Sequence, residues 1–156
     1  MDRKGDDAVN ESKYASAKPQ LRCKIYPANT FDDCKFVVVC SFYNGQYLLS
    51  RHNKRDTFET QGGHIESGES ALDAARRELY EESGVTDAAL FHVCDYHGYD
   101  DFGFAHGSVS LAVVNSIGEL PESEMAEVKL FDRLPENLTY PNVTPHLFRE
   151  AKKCLK

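Results

Sequence analysis

Residues 62–85, GGHIESGESALDAARRELYEESGV, contain a helix whose two ends are both encoded in the sequence. Ser70 is a residue type that caps helix N-termini, and Asp73 follows three positions later as a variant of the capping box. Gly84 has the conformational freedom that a helix C-terminus requires. Helical spacing places three apolar side chains on one face, which we expect to pack against a sheet: Leu72, Ala75 and Leu79.

Strand signals lie on both sides of this helix. The segment KFVVVCSFYNGQYLLSRH (35–52) predicts two strands joined by Asn44-Gly45, a dipeptide typical of tight hairpins. Further strands are predicted at 89–96, 108–117 and 127–132. A second helix is predicted near the end, with Thr144 as N-cap, Pro145 in the first turn, and Leu147, Phe148, Ala151 and Leu155 pointing inward. This order favours a mixed sheet with helices packed on it over a regular parallel βαβ repeat.

The chain of 156 residues is long enough for one domain and too short for two of ordinary size. We expect residues 1–18, which are polar and aperiodic, to form a flexible arm, and residues 19–156 to form a single domain. The amino-terminal stretch lacks the apolar core of a signal peptide, and no apolar run reaches the length of a membrane span. Five scattered cysteines without a CxxC pair are typical of reduced thiols. The sequence therefore predicts a cytoplasmic protein with no membrane partner.

The net charge of −7, with no run of lysine or arginine, disfavours a nucleic-acid polymer as partner. A polyanion would be repelled over most of such a surface. A small phosphate-bearing ligand is compatible with this charge, because divalent cations bridge acidic side chains and phosphates.

Three glutamates crowd the last part of the predicted helix: Glu78, Glu81 and Glu82. Their carboxylates lie within an arc of roughly 100°, beside the buried stripe and not inside it. They repel one another unless a positive charge lies between them, and Arg77 points about 100° away from Glu78. A solvated helix face is one interpretation. A divalent cation explains more, because the Gly62-Gly63 turn would let a backbone carbonyl approach the same ion.

The segment from Gly63 to Val85 resembles a complete Nudix box: Gly63, five residues, Glu69, seven residues, then Arg77-Glu78-Leu79-Tyr80-Glu81-Glu82-Ser83-Gly84-Val85. The resemblance implies a hydrolase that cleaves the diphosphate linkage of a nucleoside diphosphate joined to another group. It also implies the α+β Nudix fold, a three-layer α/β/α sandwich around a mixed β-sheet.

The same resemblance assigns roles to residues of this chain. It implies Mg²⁺ or Mn²⁺ as the cofactor, with metal ligands at Glu78, Glu81, Glu82 and a carbonyl of Gly62. It places Glu81 and Arg77 in the catalytic set, with Arg77 and Glu69 tying the helix to the loop before it. Gly63, Glu69 and Gly84 are the structural positions of the motif.

Two positions depart from the common pattern of the family. Gln61 stands where many members have proline, which makes the turn less rigid but removes no ligand. His64 stands where lysine or arginine is frequent, and we take it as a substrate-binding candidate.

The substrate is less constrained by the sequence. Four aromatic side chains in the segment 95–107 offer a stacking platform for a base, namely Tyr96, Tyr99, Phe102 and Phe104, of which Tyr99 and Phe102 are our substrate-binding candidates. The small size and the tail segment LFDRLPENL (130–138) resemble bacterial members that hydrolyse oxidised nucleotides of the 8-oxo-dGTP type.

Several other activities stay open at this point. Nucleoside triphosphates, ADP-ribose and dinucleoside polyphosphates are alternative substrates, and a non-catalytic Nudix nucleotide sensor is an alternative of another class. A Nudix isomerase acting on isopentenyl diphosphate is disfavoured, because its cysteine-containing segment is not evident. In each case the partner is a small nucleotide or diphosphate, and the protein is a monomer or a homodimer.

The general base is expected outside the box, since glutamates bound to metal accept a proton poorly. In several Nudix hydrolases it is a glutamate on a later loop, and the segment GELPESEMAEVKLF (118–131) offers four candidates: Glu119, Glu122, Glu124 and Glu127. We favour Glu124, because it lies far enough along the loop to approach the helix and precedes the strand that Glu127 opens. If none of the four matters, Glu81 must serve as both ligand and base.

Overall fold

The computed structural model describes residues 13–155. They form seven strands and two helices: β1 (Arg22–Pro27), β2 (Phe36–Tyr43), β3 (Gln46–His52), β4 (Gln61–His64), α1 (Ala71–Ser83), β5 (Asp87–Asp100), β6 (Gly103–Ser116), β7 (Met125–Phe131) and α2 (Thr144–Lys152). The predicted order of strands, helix, strands and helix is confirmed. The predicted strands at 89–96 and 108–117 are longer in the structure, and β1 and β4 had not been predicted.

The strands form one mixed sheet in the order β1-β5-β6-β2-β3-β7, and β4 pairs with β2 beside this path. β2 and β6 are parallel, whereas the other pairs are antiparallel. The predicted β2–β3 hairpin is confirmed, with Asn44 at φ 51° and Gly45 at φ 81° in the turn. Positive φ at both central residues is the conformation that Asn-Gly accommodates.

One helix covers each face of the sheet, so the molecule is the expected α+β three-layer sandwich. On one face Ala74, Ala75 and Leu79 of α1 pack against apolar side chains that include Val37 and Val39 of β2. On the other face, buried residues of α2 pack against a second cluster of strand residues: Leu147, Phe148 and Ala151 against Cys40, Phe42, Leu49, Val109 and Leu111.

Helix α1 has the ends that its sequence predicts. The Ser70 hydroxyl accepts the N–H of Asp73 at 3.0 Å, and Gly84, at φ 84°, donates its N–H to the Tyr80 carbonyl at 2.8 Å. The prediction that Leu72 is buried is wrong, because this side chain is 40% exposed. The buried stripe is centred on Ala74 and Ala75, and Leu72 lies about 110° from that centre in the first turn.

Helix α2 differs from its prediction at both ends. Val143 occupies the N-cap position without a side-chain cap, and the expected cap, Thr144, is the first helical residue and is buried. Leu155 lies beyond the end of the helix but still packs against the core.

The predicted amino-terminal arm falls mostly outside the described part of the chain, since residues 1–12 are not described. Within its last part, the Ser16 N–H donates to Asp56 at 3.1 Å and the Lys18 N–H donates to the Thr139 carbonyl at 2.6 Å. The boundary between arm and domain stays a prediction. Between residues 13 and 155, no helix has the length and apolar character needed to cross a bilayer.

Candidate active site

The glycine pair lies in a strand and not in the turn that the sequence predicted. Gly62 and Gly63 belong to β4, which runs antiparallel to β2 with Gly62 opposite Val38 and Gly63 opposite Val37. A methyl group on Gly62 would collide with the backbone carbonyl of Val37. A methyl group on Gly63 would lie 2.6 Å from Cδ of Glu78. The pair is therefore required for two close approaches, one between strands and one between β4 and a carboxylate of α1.

Two of the three clustered glutamates are substantially buried against β4. Glu82 Oε1 accepts the Gly62 N–H at 2.9 Å, and burial raises the pKa of Glu82 to about 8 although this hydrogen bond lowers it. Burial also raises the pKa of Glu78, which is 9% exposed, against the opposing hydrogen bond from Arg77. The expectation that the carboxylates lie outside the buried stripe is therefore wrong for Glu78. The Glu81 side chain, by contrast, is 51% exposed.

Arg77 connects the cluster to the segment that precedes the helix. Its guanidinium binds Glu69 through two hydrogen bonds of 2.6 and 2.9 Å, and it donates to the His64 carbonyl at 3.0 Å. The hydrogen bond from Arg77 is the main reason why the pKa of Glu69 is lowered to about 2. Arg77 Nη1 also lies 3.0 Å from Glu78 Oε2 and 3.5 Å from Glu81 Oε1. The expectation that Arg77 points away from Glu78 is wrong, because the guanidinium donates a hydrogen bond to the Glu78 carboxylate.

These carboxylates open into a groove of about 640 Å³, which we call the acidic groove. It is lined by Gly62, Gly63, His64, Glu66, Glu78, Glu81, Glu82, Pro121, Glu122, Ser123, Glu124 and Met125. His64, a substrate-binding candidate, is exposed at the edge of this groove. Among the described residues that line it there is no lysine or arginine.

The four candidate bases separate into two groups. Glu122 and Glu124 line the acidic groove, whereas Glu119 and Glu127 do not. Glu127 forms an ion pair with Arg51 at 2.8 Å. The Glu124 carbonyl accepts the Asn53 N–H at 2.8 Å, while its carboxylate, 84% exposed, lies 3.5 Å from His52 Nε2. The backbone of Glu124 is therefore anchored, and its exposed side chain lines the groove with His52 beside it.

The acidic groove suits a hard divalent cation, because most of the side-chain donors that line it are glutamate carboxylates. Within residues 13–155, no three Asp, Glu, His or Cys side chains are already gathered into a coordination shell. The residues nevertheless fit such an ion. Burial disfavours the charged forms of Glu78 and Glu82, and a cation in the groove would favour them.

A second cavity of about 530 Å³ lies next to the acidic groove and shares Gly62 and Gly63 with it. We call it the aromatic cavity, because five of its lining residues are aromatic: Phe36, Tyr96, Phe102, Phe104 and Tyr140. Two carboxylates, Glu59 and Asp100, also line it, and the described lining residues include no lysine, arginine or histidine. With a divalent cation bound in the acidic groove, a ligand that spans both sites would place an uncharged aromatic part here and its anionic part at the cation.

The two aromatic substrate candidates are placed differently. Phe102 lines the aromatic cavity at the tip of the β5–β6 hairpin and is 96% exposed. Tyr99 is not among the lining residues. Its ring lies beneath the cationic groups of Arg22 and Lys24, at 5.4 and 5.9 Å from the ring centroid.

Sequence reasoning missed two buried polar residues near the site. Glu59 lines the aromatic cavity and accepts hydrogen bonds from Arg55 at 3.0 and 3.1 Å and from Thr139 at 2.7 Å. Arg55 lies four residues before Glu59, but the Thr139 partner and the cavity that Glu59 lines are formed by distant segments.

Gln61 was recognised only as a departure from proline. Its buried amide accepts from the Ser41 hydroxyl at 2.8 Å and donates to the Ser50 hydroxyl at 2.9 Å and the Leu48 carbonyl at 3.2 Å. Ser50 in turn donates to the Glu82 carbonyl at 2.8 Å. These bonds join β2, β3 and β4 to the end of α1.

Comparisons with known proteins agree with this geometry. The family model for the NUDIX domain matches residues 35–146. YtkD of Bacillus subtilis (strain 168), a candidate 8-oxo-dGTP diphosphatase, is 32% identical over 130 residues, which cover 74% of this chain and 80% of YtkD.

Two solved structures share the fold at lower identity. A variant of the Bacillus subtilis pyrophosphohydrolase BsRppH superposes with a TM-score of 0.72 at 23% identity, covering 91% of this chain and 97% of that one. The NUDIX domain of Shewanella oneidensis NrtR, complexed with ADP-ribose, superposes with a TM-score of 0.64 at 15% identity, and the superposition covers 100% of both chains. The match to the family model extends over more than half of the chain and includes β2 to β7, α1 and the carboxylates of the acidic groove. The chain therefore belongs to the Nudix family of pyrophosphohydrolases.

Proposed function

We propose that this protein is a Mg²⁺- or Mn²⁺-dependent hydrolase of nucleoside triphosphates, with oxidised deoxynucleotides such as 8-oxo-dGTP as favoured substrates. The observation that carries the proposal is the contact between the two sites, since the acidic groove and the aromatic cavity share Gly62 and Gly63. A nucleotide would place its nucleoside in the cavity and its phosphates in the groove.

In this proposal Glu78, Glu81, Glu82 and the carbonyl of Gly62 hold the cation. The cation supplies charge neutralisation of the diphosphate and a position for the attacking water. Arg77 holds Glu78 and Glu81 through its hydrogen bonds and is itself held by Glu69. It is the link that keeps the glutamates in place.

Glu124 is the proposed general base. Its carboxylate lines the acidic groove on the loop between β6 and β7, opposite the helix that carries the three glutamates. It lacks the arginine partner that engages Glu127, so it is available to accept a proton from water. Glu122 lines the same groove and is the second candidate.

His64 is proposed to contact the phosphates, because it is exposed at the edge of a groove that otherwise offers acidic side chains. Phe102 is proposed to cover the base from the hairpin tip. Tyr99, predicted to bind substrate, would reach a nucleotide only if the ligand extended past the hairpin, because the tyrosine does not line the cavity.

The lining of the aromatic cavity favours an uncharged nucleoside. Asp100 is engaged by the N–H groups of Phe102 and Gly103, and Glu59 is engaged by Arg55 and Thr139. A second phosphorylated group in the aromatic cavity would lie near these two carboxylates, and the described residues that line the cavity include no lysine or arginine to neutralise it. This favours nucleoside triphosphates over the alternatives, ADP-ribose and dinucleoside polyphosphates. The name of YtkD supports the same substrate class.

The decisive experiment is a nucleotide panel that includes dGTP, 8-oxo-dGTP, ADP-ribose and diadenosine tetraphosphate, with Mg²⁺, with Mn²⁺ and with excess EDTA, and with the products identified. We expect turnover of the triphosphates only with metal. Turnover that persists unchanged in EDTA would contradict the metal assignment. Nucleotide binding without any turnover would instead support the second class of function, a Nudix sensor.

We also propose that the protein acts in the cytoplasm on small nucleotides, as a monomer or homodimer. The cysteines Cys23, Cys34, Cys40, Cys94 and Cys154 are all free, which is typical of a reducing compartment. The net charge of −7 argues against nucleic-acid polymers, and nanomolar binding of duplex DNA at physiological salt would refute that part.

A further inference from the structure

The ring of Tyr96 lies across two strands on the floor of the aromatic cavity. Tyr96 is on β5, directly opposite Gly107 of β6, and Gly98 follows it on the same face of the sheet. A methyl group on Gly107 would lie 2.6 Å from Cζ and 2.8 Å from the hydroxyl of Tyr96. A methyl group on Gly98 would lie 3.1 Å from Cε2, on the other edge of the ring. The ring therefore occupies the space that side chains at both glycines would need.

Tyr96 is one of the residues that line the cavity, and it also packs against the core cluster on the α2 face of the sheet. The neighbouring floor positions on β6 are small, Gly103 and Ala105, so no side chain from them stands over the ring. A flat group that enters the cavity would meet the tyrosine face and the sheet backbone. Aromatic faces bind nucleobases by stacking, and they tolerate different bases because every base has a π-face.

The hydroxyl of Tyr96 is available for a ligand. Among the groups of residues 13–155, none hydrogen-bonds to it, yet it is not one of their fully buried unsatisfied atoms, so it retains access from the cavity. Burial raises the pKa of this phenol, so it stays protonated and can donate a hydrogen bond.

We propose that Tyr96, seated on Gly98 and Gly107, is the residue that binds the base: its ring stacks on the base, and its hydroxyl donates to a base acceptor. The inference rests on the proposed function, because it assumes that the nucleoside enters the aromatic cavity. It adds a specificity-determining residue outside the Nudix box.

Three variants test the proposal, with steady-state kinetics on dGTP and 8-oxo-dGTP. Tyr96→Leu removes the stacking face, and we expect KM to rise by between about fivefold and 150-fold while kcat stays within about twofold. Tyr96→Phe keeps the ring, so we expect a smaller rise in KM and a changed ratio between the two substrates. Gly107→Ala leaves the tyrosine in the sequence but displaces its ring, so its KM should rise as in Tyr96→Leu.

The matched control is Tyr26→Leu, a tyrosine on the neighbouring strand β1 whose ring packs against Phe31 at 5.1 Å and does not line the cavity. It should leave KM for both nucleotides unchanged. Inhibition by inorganic tripolyphosphate, which has no base, should be equal in wild type and Tyr96→Leu. Thermal unfolding of each variant shows whether the fold is intact, and Tyr96→Phe is the informative variant if Gly107→Ala fails to fold.

The possible results distinguish a failure of the Tyr96 proposal from a failure of the proposed hydrolase function. Equal KM changes in Tyr96→Leu and Tyr26→Leu, or a Tyr96→Leu variant with wild-type KM, would overturn the role of Tyr96 and leave the hydrolase proposal intact. If the wild-type protein hydrolyses neither nucleotide, the proposed function fails. The same comparison made on dissociation constants for dGTP then decides whether Tyr96 binds the base.

Discussion

Gly63→Ala should disable the acidic groove without unfolding the protein. The added methyl group would lie 2.6 Å from Cδ of Glu78, whereas carbon atoms in ordinary contact are about 3.5 Å apart. The carboxylate must therefore move by close to 1 Å. Such a movement also strains the 3.0 Å hydrogen bond between Arg77 and Glu78. The obstacle is the end of a side chain, so β4 itself can stay paired with β2.

A displacement of about 1 Å in a positioned catalytic group can cost about 100-fold in rate. We therefore expect kcat for dGTP to fall by about two orders of magnitude, with weaker binding of Mn²⁺ measured by electron paramagnetic resonance. The free energy of unfolding, measured in urea, should change by no more than about 1 kcal/mol. The loss should exceed that of a simple Glu78→Asp change, which shortens the side chain without a collision.

Two glycine variants provide the comparison. Gly103→Ala adds a methyl group with nothing within 4 Å and should bind Mn²⁺ like the wild type. Gly62→Ala collides with backbone, at Val37, and should lower the free energy of unfolding instead. A Gly63→Ala protein with wild-type kcat and Mn²⁺ affinity would refute the reasoning, because it would show that the position of Glu78 is not set by the glycine.

Three further predictions concern individual side chains. Glu124→Gln should lower kcat by at least about 100-fold, with little change in Mn²⁺ affinity. Glu127→Gln, which removes the charged partner of Arg51, should keep kcat within a few-fold of the wild-type value. If Glu127→Gln loses activity and Glu124→Gln does not, the general base is Glu127. Arg77→Lys keeps the positive charge but loses the paired hydrogen bonds to Glu69, so kcat should fall at least tenfold. A wild-type kcat in this variant would show that a positive charge alone is enough to hold the glutamates in place. The pKa of Glu82 is raised from 4.5 to about 8, so its favourable contribution to metal-free stability is complete below about pH 4.5 and is lost as the pH rises through 8. Melting temperatures in EDTA should therefore fall between pH 5 and pH 8.5, and Glu82→Gln should flatten that slope; an unchanged slope would contradict the burial of Glu82.

Local signals predicted the local structure. Asn44-Gly45 specified the hairpin, and Ser70 and Gly84 specified the ends of α1, because each of these effects acts over a few residues. The Nudix box likewise identified the three glutamates that the structure brings to one groove.

Non-local pairing explains most of what the sequence did not predict. Gly62 and Gly63 form a strand only because Val37 and Val38 of β2 pair with them, and nothing in QGGH indicates a strand by itself. The exposure of Leu72 depends on which side of α1 meets the sheet.

The two tyrosines of β5 are a second case in which the sequence did not predict how side chains are placed. Tyr96 and Tyr99 are three positions apart on one strand, so their side chains project to opposite faces of the sheet. Which of the two faces carries the cavity depends on the position of α2 and on the register shift between His92 and Cys94. Composition does not show which face carries the cavity, and Tyr99, not Tyr96, was the substrate-binding candidate chosen from the sequence.

The buried amide of Gln61 has a consequence for how this sequence can diverge. Proline at position 61 would leave the hydroxyl of Ser41 without its amide partner in the interior, at a cost of about 1–3 kcal/mol, whereas the Ser50 hydroxyl would keep its hydrogen bond to the Glu82 carbonyl. Positions 41 and 61 therefore form an epistatic pair in which proline at position 61 is tolerated only after a change at position 41. Among descendants of this chain, the proline form and the glutamine form should be separated by a linked substitution at position 41, and single-step intermediates should be rare.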